Sequence, residues 1–491
     1  MSSAPSPSPM PAMQRRRLLR ALAAAPLAAL PQVSRTANAG SVVVIGGGLA
    51  GLCAAYELNR AGHRVSVLEA GDEVGGRART LRGAFADGLH AEVGPLYVPD
   101  AHTLVLHYAR AFNLALAAAP DDARVPVRLL RRRRLRMSAS SEPDWPYALR
   151  DDERALGFDG LYARYQAPLL ARIGDPVDAN WSAATHTALD ALSLPEALIE
   201  AGASKAAAEL LTAGWGGLWG EGIAGVSALC VLRDGLLQSA SNAHYRFVDG
   251  VDRLPQAFAR ELGERVRTRC RVIAIEASES RVRVAYLRDG QRETVDADRA
   301  VCALPFWLLR AIETPAQWSA GKRAAIASQR SFSALRTTFQ MRSRYWLAHG
   351  ENGQAQTDLG SISAVYDVGA FQNARRGLLQ TYSGGAQARR LAALPEAQRH
   401  DEILHALDRV FPGALAQCES AVSWSWDAQP QARGASAWFA PGEMARHAAH
   451  LASAEGRVHF AGDHTSPWIR WMQGALHSGL RAAREVHEAA A

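Results

Sequence analysis

From Ser41 to Leu68 the hydrophobic pattern changes period twice. Ser41 to Ile45 is a short apolar run, the residues that follow repeat at helical spacing to about Ala61 and stop at Gly62, and Arg64 to Leu68 reads as a second strand. This succession predicts a βαβ unit. From about Asp100 to Ala240 the chain is rich in Ala and Leu and reads as mostly helical. It is interrupted by the basic run "RLLRRRRLR", Arg128 to Arg136, which reads as a solvated loop or hairpin; without interleaved aromatic residues it does not read as a nucleic-acid surface.

Strand alternation returns in "RCRVIAIEA", "RVRVAYL" and "RAVCALP", with Asp289-Gly290 supplying turn chemistry. A mixed segment from about Phe306 to Trp426 contains "SALRTTFQMRSRYW". There Leu335, Thr337, Phe339 and Met341 share one face, and Ala334, Arg336, Thr338 and Gln340 the other. Periodicity alone makes Arg336 an ordinary charge on a polar face. The tail reads as strand, loop and helix, with Met472, Leu476, Gly479, Leu480, Ala483 and Val486 along one side of the helix.

The turn between the first strand and helix carries the first chemistry. Gly46, Gly48 and Gly51 form GxGxxG directly after a strand and directly before a helix. Glycines there let the backbone turn sharply and approach a pyrophosphate, whose charge meets the helix N-terminus. Glu69, 23 residues after Gly46 at the end of the second strand, stands where a carboxylate binds ribose hydroxyls. Gly75-Gly76-Arg77 follows at once. Two glycines allow close backbone approach and Arg77 is placed to pair with a phosphate, which favours FAD over NAD.

Composition narrows the class without changing it. At 491 residues, 48% hydrophobic and 21% charged, the chain has room for two or three domains. The formal charge is +7, but Arg15, Arg16, Arg17, Arg20 and Arg35 lie in an N-terminal segment without an acid, and the remainder is close to neutral. That segment has an arginine cluster, a short apolar run from Ala21 to Leu30, and Ala37-Asn38-Ala39 as a cleavage-type site. It is too short for a membrane span. The order of its arginines resembles a twin-arginine export signal, so the expected location is the periplasm or the exterior. The five cysteines are scattered without a CxxC or a neighbouring His pair, which argues against a metal site. Lysine occurs only as Lys205 and Lys322.

With these residues in place, the chain resembles the flavin-containing amine oxidases, the superfamily of monoamine, polyamine and L-amino-acid oxidases. The resemblance rests on the GxGxxG unit with "GGRART", on "FVDGVDRLPQAFARELG", "VCALPFWLL" and "GASAWFAPGE", and on "HFAGDHTS" followed by "MQGALHSGLRAA". "AEVGPLYVPDAHTLVLHYARAFNL" and "HFAGDHTS" look closer to the L-amino-acid oxidase branch. The implied fold is α/β: a Rossmann-type FAD domain interleaved with an α+β substrate domain that carries a helical cap. The implied division is an export segment at 1–39, FAD-binding parts at 40–100, 246–305 and 446–491, a mainly helical cap region at 101–245, and a substrate-binding sheet at 306–445.

The resemblance also implies site residues. Leu49, Ala50, Ala70, Gly94 and Pro95 join the glycine turn, Glu69, Gly76 and Arg77 as cofactor contacts. Val272 meets adenine through its backbone, Gly462 and Asp463 hold the pyrophosphate and ribitol, and Trp471, Met472 and Gln473 lie beside the flavin ring. Gly434 and Ala435 stand about where the covalent-flavin cysteine of mitochondrial monoamine oxidases and one cage tyrosine would be, so FAD is expected to be non-covalent. Trp438, Tyr97 and Arg470 are candidate substrate contacts. Two positions depart from the family pattern. Tyr97 stands where L-amino-acid oxidases carry an arginine for the substrate carboxylate, with Arg470 a candidate replacement. Arg336, ten residues before Trp346, stands where the family has a lysine that reaches flavin N5 through water. Arg336 and Trp471 are therefore the candidate catalytic residues.

The expected reaction is oxidative deamination of an amine or L-amino acid: hydride passes to the flavin, an imine forms and hydrolyses, and O2 is reduced to hydrogen peroxide. An electron-carrier protein as acceptor and a flavoprotein retained only as a binding module are the alternatives. A homodimer is compatible with the resemblance, and neither a metal nor nucleic acid is expected.

Overall fold

The computed structural model describes residues 39–118, 124–138, 142–241 and 243–490. All but the last residue of the expected export segment lie outside the described residues. The strand Ser41–Ile45 pairs in parallel with Arg64–Leu68 on one side and Arg299–Cys302 on the other; Val266–Arg267 and Val458–Phe460 complete a five-stranded parallel sheet. Three distant stretches of chain thus build one lobe. Val42 and Val44 pack with Leu52, Leu476 and Leu480 on the helical face, whereas Val43 and Ile45 pack with Ile275 and Val284 on the opposite face. Burial on both faces is why this strand is a continuous apolar run.

The helix Leu49–Arg60 and the last helix, Met472–Glu488, cross on that first face. Gly479 sets the crossing, because a Cβ there would strike Ala50 O. The other face carries an antiparallel meander, Cys270–Ala277, Val282–Arg288 and Gln291–Ala297. Its second turn uses Asp289 at φ 50° and Gly290 at φ 82°, the left-handed pair a two-residue hairpin requires.

The second lobe is a seven-stranded sheet in the order Cys418–Ser425, Ala334–Met341, Gly377–Gly384, Ala364–Asp367, Glu351–Thr357, Val125–Leu130, Arg133–Arg136. The strand Ala334–Met341 is interior, and both its faces are covered. Leu335, Phe339 and Met341 pack under the helices Gly385–Ala392 and Glu396–Val410 with Leu391, Ile403 and Leu407. On the opposite face Gln340 accepts from Ala86 N at 2.7 Å and Arg336 donates to Glu92 O at 3.2 Å, so this face meets the first lobe instead of water.

Within 101–245, read above as mainly helical, the helix Thr103–Ala111 belongs to the first lobe through Val105, Tyr108 and Ala109. The basic run forms the hairpin Val125–Leu130 and Arg133–Arg136, turning at Arg131 and Arg132 with positive φ, and joins the edge of the large sheet. It is not a free basic surface. Arg131 pairs with Glu209, Arg133 with Asp144 and Arg134 with Glu351, while Arg128 lies against Trp145 and Phe158. The helices from Asp151–Leu161 to Ala228–Ser239 form the cap. Among the described residues no helix is long and apolar enough to cross a membrane, and no group of His, Cys, Asp and Glu is arranged to hold a metal.

Candidate active site

A cavity of about 890 Å³ runs from the glycine turn, between the lobes, to the cap helix Ala228–Ser239. At its first end Gly46, at φ 103°, turns the chain, and Gly48 precedes the helix with no side-chain cap. The first-turn amides of Leu49 and Ala50 have no acceptor one turn back and border the cavity. A Cβ on Gly48 would meet no protein atom within 4 Å and would project into this space. Gly51 does not line the cavity; a Cβ there would overlap Gly46 O, so its glycine serves the close packing of helix on turn.

Glu69 lines the same end and accepts from Gly47 N and Gly71 N, each at 2.7 Å. Burial raises its pKa, with those amides opposing. Arg77 ion-pairs with Asp463 and donates to Ala435 O at 3.0 Å. Asp463 also accepts from Arg470 N at 2.9 Å; burial pushes its carboxyl up, but Arg77 and its other partners outweigh that and hold it below the usual range. Gly76, Gly94, Pro95, Gly462 and Met472 complete the wall on this side.

Of the residues that sequence placed at the cofactor, Ala70, Val272 and Gln473, like Gly51, do not line the cavity. Gln473 lies beyond it and accepts through Oε1 from Leu104 N at 3.0 Å and Val105 N at 3.4 Å, at the start of the helix Thr103–Ala111. Trp438 is also outside the cavity wall. It pairs its strand with Arg330–Phe332 and donates from Nε1 to Ser331 O at 3.2 Å. In this structure Trp438 therefore has a packing partner and Gln473 a helix-end one.

The opposite half of the cavity holds Tyr97, Arg336, Arg470 and Trp471 together. Arg336 Nη1 donates to Gln380 Oε1 at 3.0 Å and Glu92 O at 3.2 Å, and its guanidinium lies 5.1 Å from the Tyr382 ring centroid. Both acceptors are neutral, and Nε, buried, has no partner. Burial lowers its pKa, against the pull of Tyr382, Tyr366, Glu92 and Tyr97, yet a guanidinium stays protonated. Arg470, at φ 75°, donates to Leu218 O at 2.8 Å and stacks 4.0 Å from the Trp219 ring. Trp471 Nε1 donates to Asp234 Oδ1 at 2.6 Å, and the Trp471 ring meets His102 edge-on. Burial raises the Asp234 pKa, with Arg470 and Trp471 opposing.

Sequence reasoning passed over Asp234 and Arg246. Asp234 had a signal: Arg233-Asp234 is the only charged pair in the apolar helix "ALCVLRDGLLQS".

This architecture, a dinucleotide-type cradle opening into an aromatic chamber between two lobes, matches known proteins along nearly the whole chain. The chain belongs to the flavin-containing amine oxidoreductase family, whose model matches residues 49–487. It is 28% identical over 470 residues to an L-amino-acid oxidase of Vipera ammodytes ammodytes, covering 93% of this chain and 94% of that one. It is 29% identical over 485 residues to a flavin-dependent L-tryptophan oxidase of Lentzea aerocolonigenes, covering 91% and 97%. Among solved structures it superposes on putrescine oxidase bound to putrescine with a TM-score of 0.79 at 22% identity, covering 91% of this chain and 98% of that one. Cyclohexylamine oxidase of Brevibacterium oxydans gives 0.78 at 21%, covering 92% and 99%. The cofactor is FAD. The cradle suits it: Gly48 leaves room that a side chain would fill, the first turn of the helix borders that room, and Glu69 stands at its end. No cysteine lines the cavity, in keeping with non-covalent attachment.

Proposed function

We propose that this FAD-dependent amine oxidoreductase acts on L-amino acids, with Arg336 holding the substrate carboxylate. The single observation that carries this reading is the bonding of Arg336. A guanidinium on the chamber wall has only neutral partners, and a carboxylate is the group that answers an unpaired fork of donors.

FAD, when bound, supplies the acceptor for the two electrons and the α-hydrogen of the substrate. Gly48, the amides of Leu49 and Ala50, Glu69 and Arg77 are the residues placed to hold it. The chain's remaining work is positioning and electrostatics. Arg336 fixes the carboxylate end of the substrate. Arg336 on the chamber wall disfavours a substrate ammonium and favours the neutral amine that can be oxidised, while Asp234 on the same wall opposes the charge of Arg470. Tyr382, Trp424, Trp426 and Trp471 line the chamber with aromatic surface.

The test is anaerobic mixing of the flavoprotein with L-amino acids and with the amines left by their decarboxylation. Flavin bleaching by amino acids is expected; bleaching by the amines alone overturns the reading. Admission of air then addresses the acceptor, which we propose to be O2. Rapid return of the oxidised spectrum with hydrogen peroxide is expected, whereas a bleached spectrum that persists in air assigns the electrons to a carrier protein.

The same reading includes export. The order Arg15-Arg16-Arg17-Leu18-Leu19-Arg20 supports the twin-arginine route, which carries folded, cofactor-loaded proteins. Replacing Arg15, Arg16 and Arg17 by lysine should retain the enzyme inside the cell; unchanged export would remove the proposal.

A further inference from the structure

Tyr97 stands on the wall shared by the large cavity and a small side cavity bordered by Glu92, Arg246, Val368 and Phe371. Behind it Arg246, from the strand His244–Phe247, donates through Nη2 to Tyr97 Oη at 2.9 Å. The guanidinium is sandwiched, 4.6 Å from the Tyr97 ring centroid and 4.3 Å from that of Phe371. Arg246 is 7% exposed. Its Nη1 reaches only Asp367 O and Val368 O, each at 3.4 Å, and its Nε has no partner.

The neighbouring acids are already engaged. Asp367 bonds Arg344 and Trp346 through its carboxylate, and the Glu92 carboxylate accepts from Thr80 Oγ1 at 2.8 Å and Val251 N at 3.0 Å. Arg246 has no ion pair among the described residues, and the Glu92 and Asp367 carboxylates act on it only at longer range. The hydrogen bond from Arg246 uses the oxygen of Tyr97 and leaves its proton without an acceptor among the described residues. A phenol that accepts from a guanidinium is polarised into a stronger donor. Glu92 ties this arrangement to Arg336: its carbonyl accepts from Arg336 while its side chain borders the side cavity of Arg246.

We propose that Tyr97 and Arg246 form a relay that completes the carboxylate site beside Arg336. Tyr97 O–H donates to a carboxylate oxygen of the substrate, and Arg246 is a positioning residue that strengthens and orients that donor without touching the substrate. An anion in the chamber adds to the Glu92 and Asp367 charges that already act on Arg246, and it gives the Tyr97 proton its acceptor. The proposal rests on the L-amino-acid reading of the site.

The test uses the flavin-loaded enzyme and benzoate, a carboxylate with no amine to oxidise, titrated by its perturbation of the flavin spectrum. Tyr97→Phe keeps the ring over Arg246 and removes only the hydroxyl, and should weaken benzoate binding by ~10-fold or more, the usual worth of a hydrogen bond to a charged group. Arg246→Met should weaken it similarly, and the double variant should be no worse than Tyr97→Phe alone, because Arg246 acts through Tyr97. Arg246→Lys should restore part of the loss. With an L-amino acid the change should fall on KM more than on kcat.

An unchanged benzoate affinity in Tyr97→Phe overturns the relay, as does a double variant whose losses add. If Arg246→Met does not fold, Tyr97→Phe still decides. Failure of the underlying reading looks different: wild-type flavin would then bleach with amines and not with amino acids. Normal bleaching by amino acids with an unaltered Tyr97→Phe variant overturns the relay alone.

Discussion

Trp471 Nε1 and Asp234 Oδ1, 2.6 Å apart, join the start of the last helix to the helical cap across the roof of the chamber. One ring thereby depends on a carboxylate from another part of the chain. Asp234→Ala should free the indole and lower kcat/KM by about 10-fold, the scale of a lost bond to a charged acceptor. Asp234→Asn, whose amide oxygen still accepts, should lose much less. Steady-state kinetics of the two variants check this, and equal losses would place the role of Asp234 elsewhere.

Arg336→Lys keeps a positive charge but loses the planar fork. The KM for an L-amino acid should rise about 10-fold relative to that for the corresponding amine, narrowing the preference for a carboxylate. Measuring both substrates on both enzymes gives this ratio directly, and an unaltered ratio would detach Arg336 from carboxylate binding.

Gly48 and Gly51 should fail differently. Gly48→Val places a side chain in the open cradle, so the purified protein should lose its flavin absorbance while keeping its far-ultraviolet circular dichroism. Gly51→Ala drives a Cβ into Gly46 O and should also lower the melting temperature. The ratio of flavin to protein absorbance, with a thermal melt, separates the two effects.

Lys322 is fully buried, donates only to Leu451 O at 3.1 Å, and sits 3.7 Å from the Phe460 ring centroid. Burial pulls its pKa down from 10.5 to about 7. The unfolded chain therefore binds the extra proton between about pH 7 and 10.5, so the penalty of burying the charge is largest below pH 7 and fades as pH rises toward 10.5. Lys322→Met should raise the melting temperature at pH 6, by roughly 2 °C for each kcal/mol recovered, and the gain should shrink steadily as pH rises from 7 toward 10.5. A gain independent of pH would point to packing.

The flavin cradle was the most legible part of the sequence, because Gly46, Gly48, Gly51 and Glu69 work through backbone geometry that fixes their spacing. Alternation in Ala334–Met341 correctly sorted residues onto two faces, but a period of two does not say what covers a face. By periodicity alone Arg336 reads as wet, because the first lobe that buries its side of the sheet is distant in sequence; only the family resemblance put it in the chamber. Gln473 shows a related limit: next to Met472 in the chain, it lies about 100° away around the helix and bonds the start of another helix, a partner that spacing does not reveal. Arg246 was illegible, since its meaning depends wholly on Tyr97 lying in front of it.

The parallel sheet takes its edge strand, Val458–Phe460, and the helix Met472–Glu488 from a stretch far downstream of the glycine turn. During synthesis the ribosome must therefore pass Glu488 before the cradle has all its walls. Flavin capture has to wait for that stretch, and a product truncated before Val458 would lack the part of the cavity wall that Gly462, Asp463 and Met472 supply.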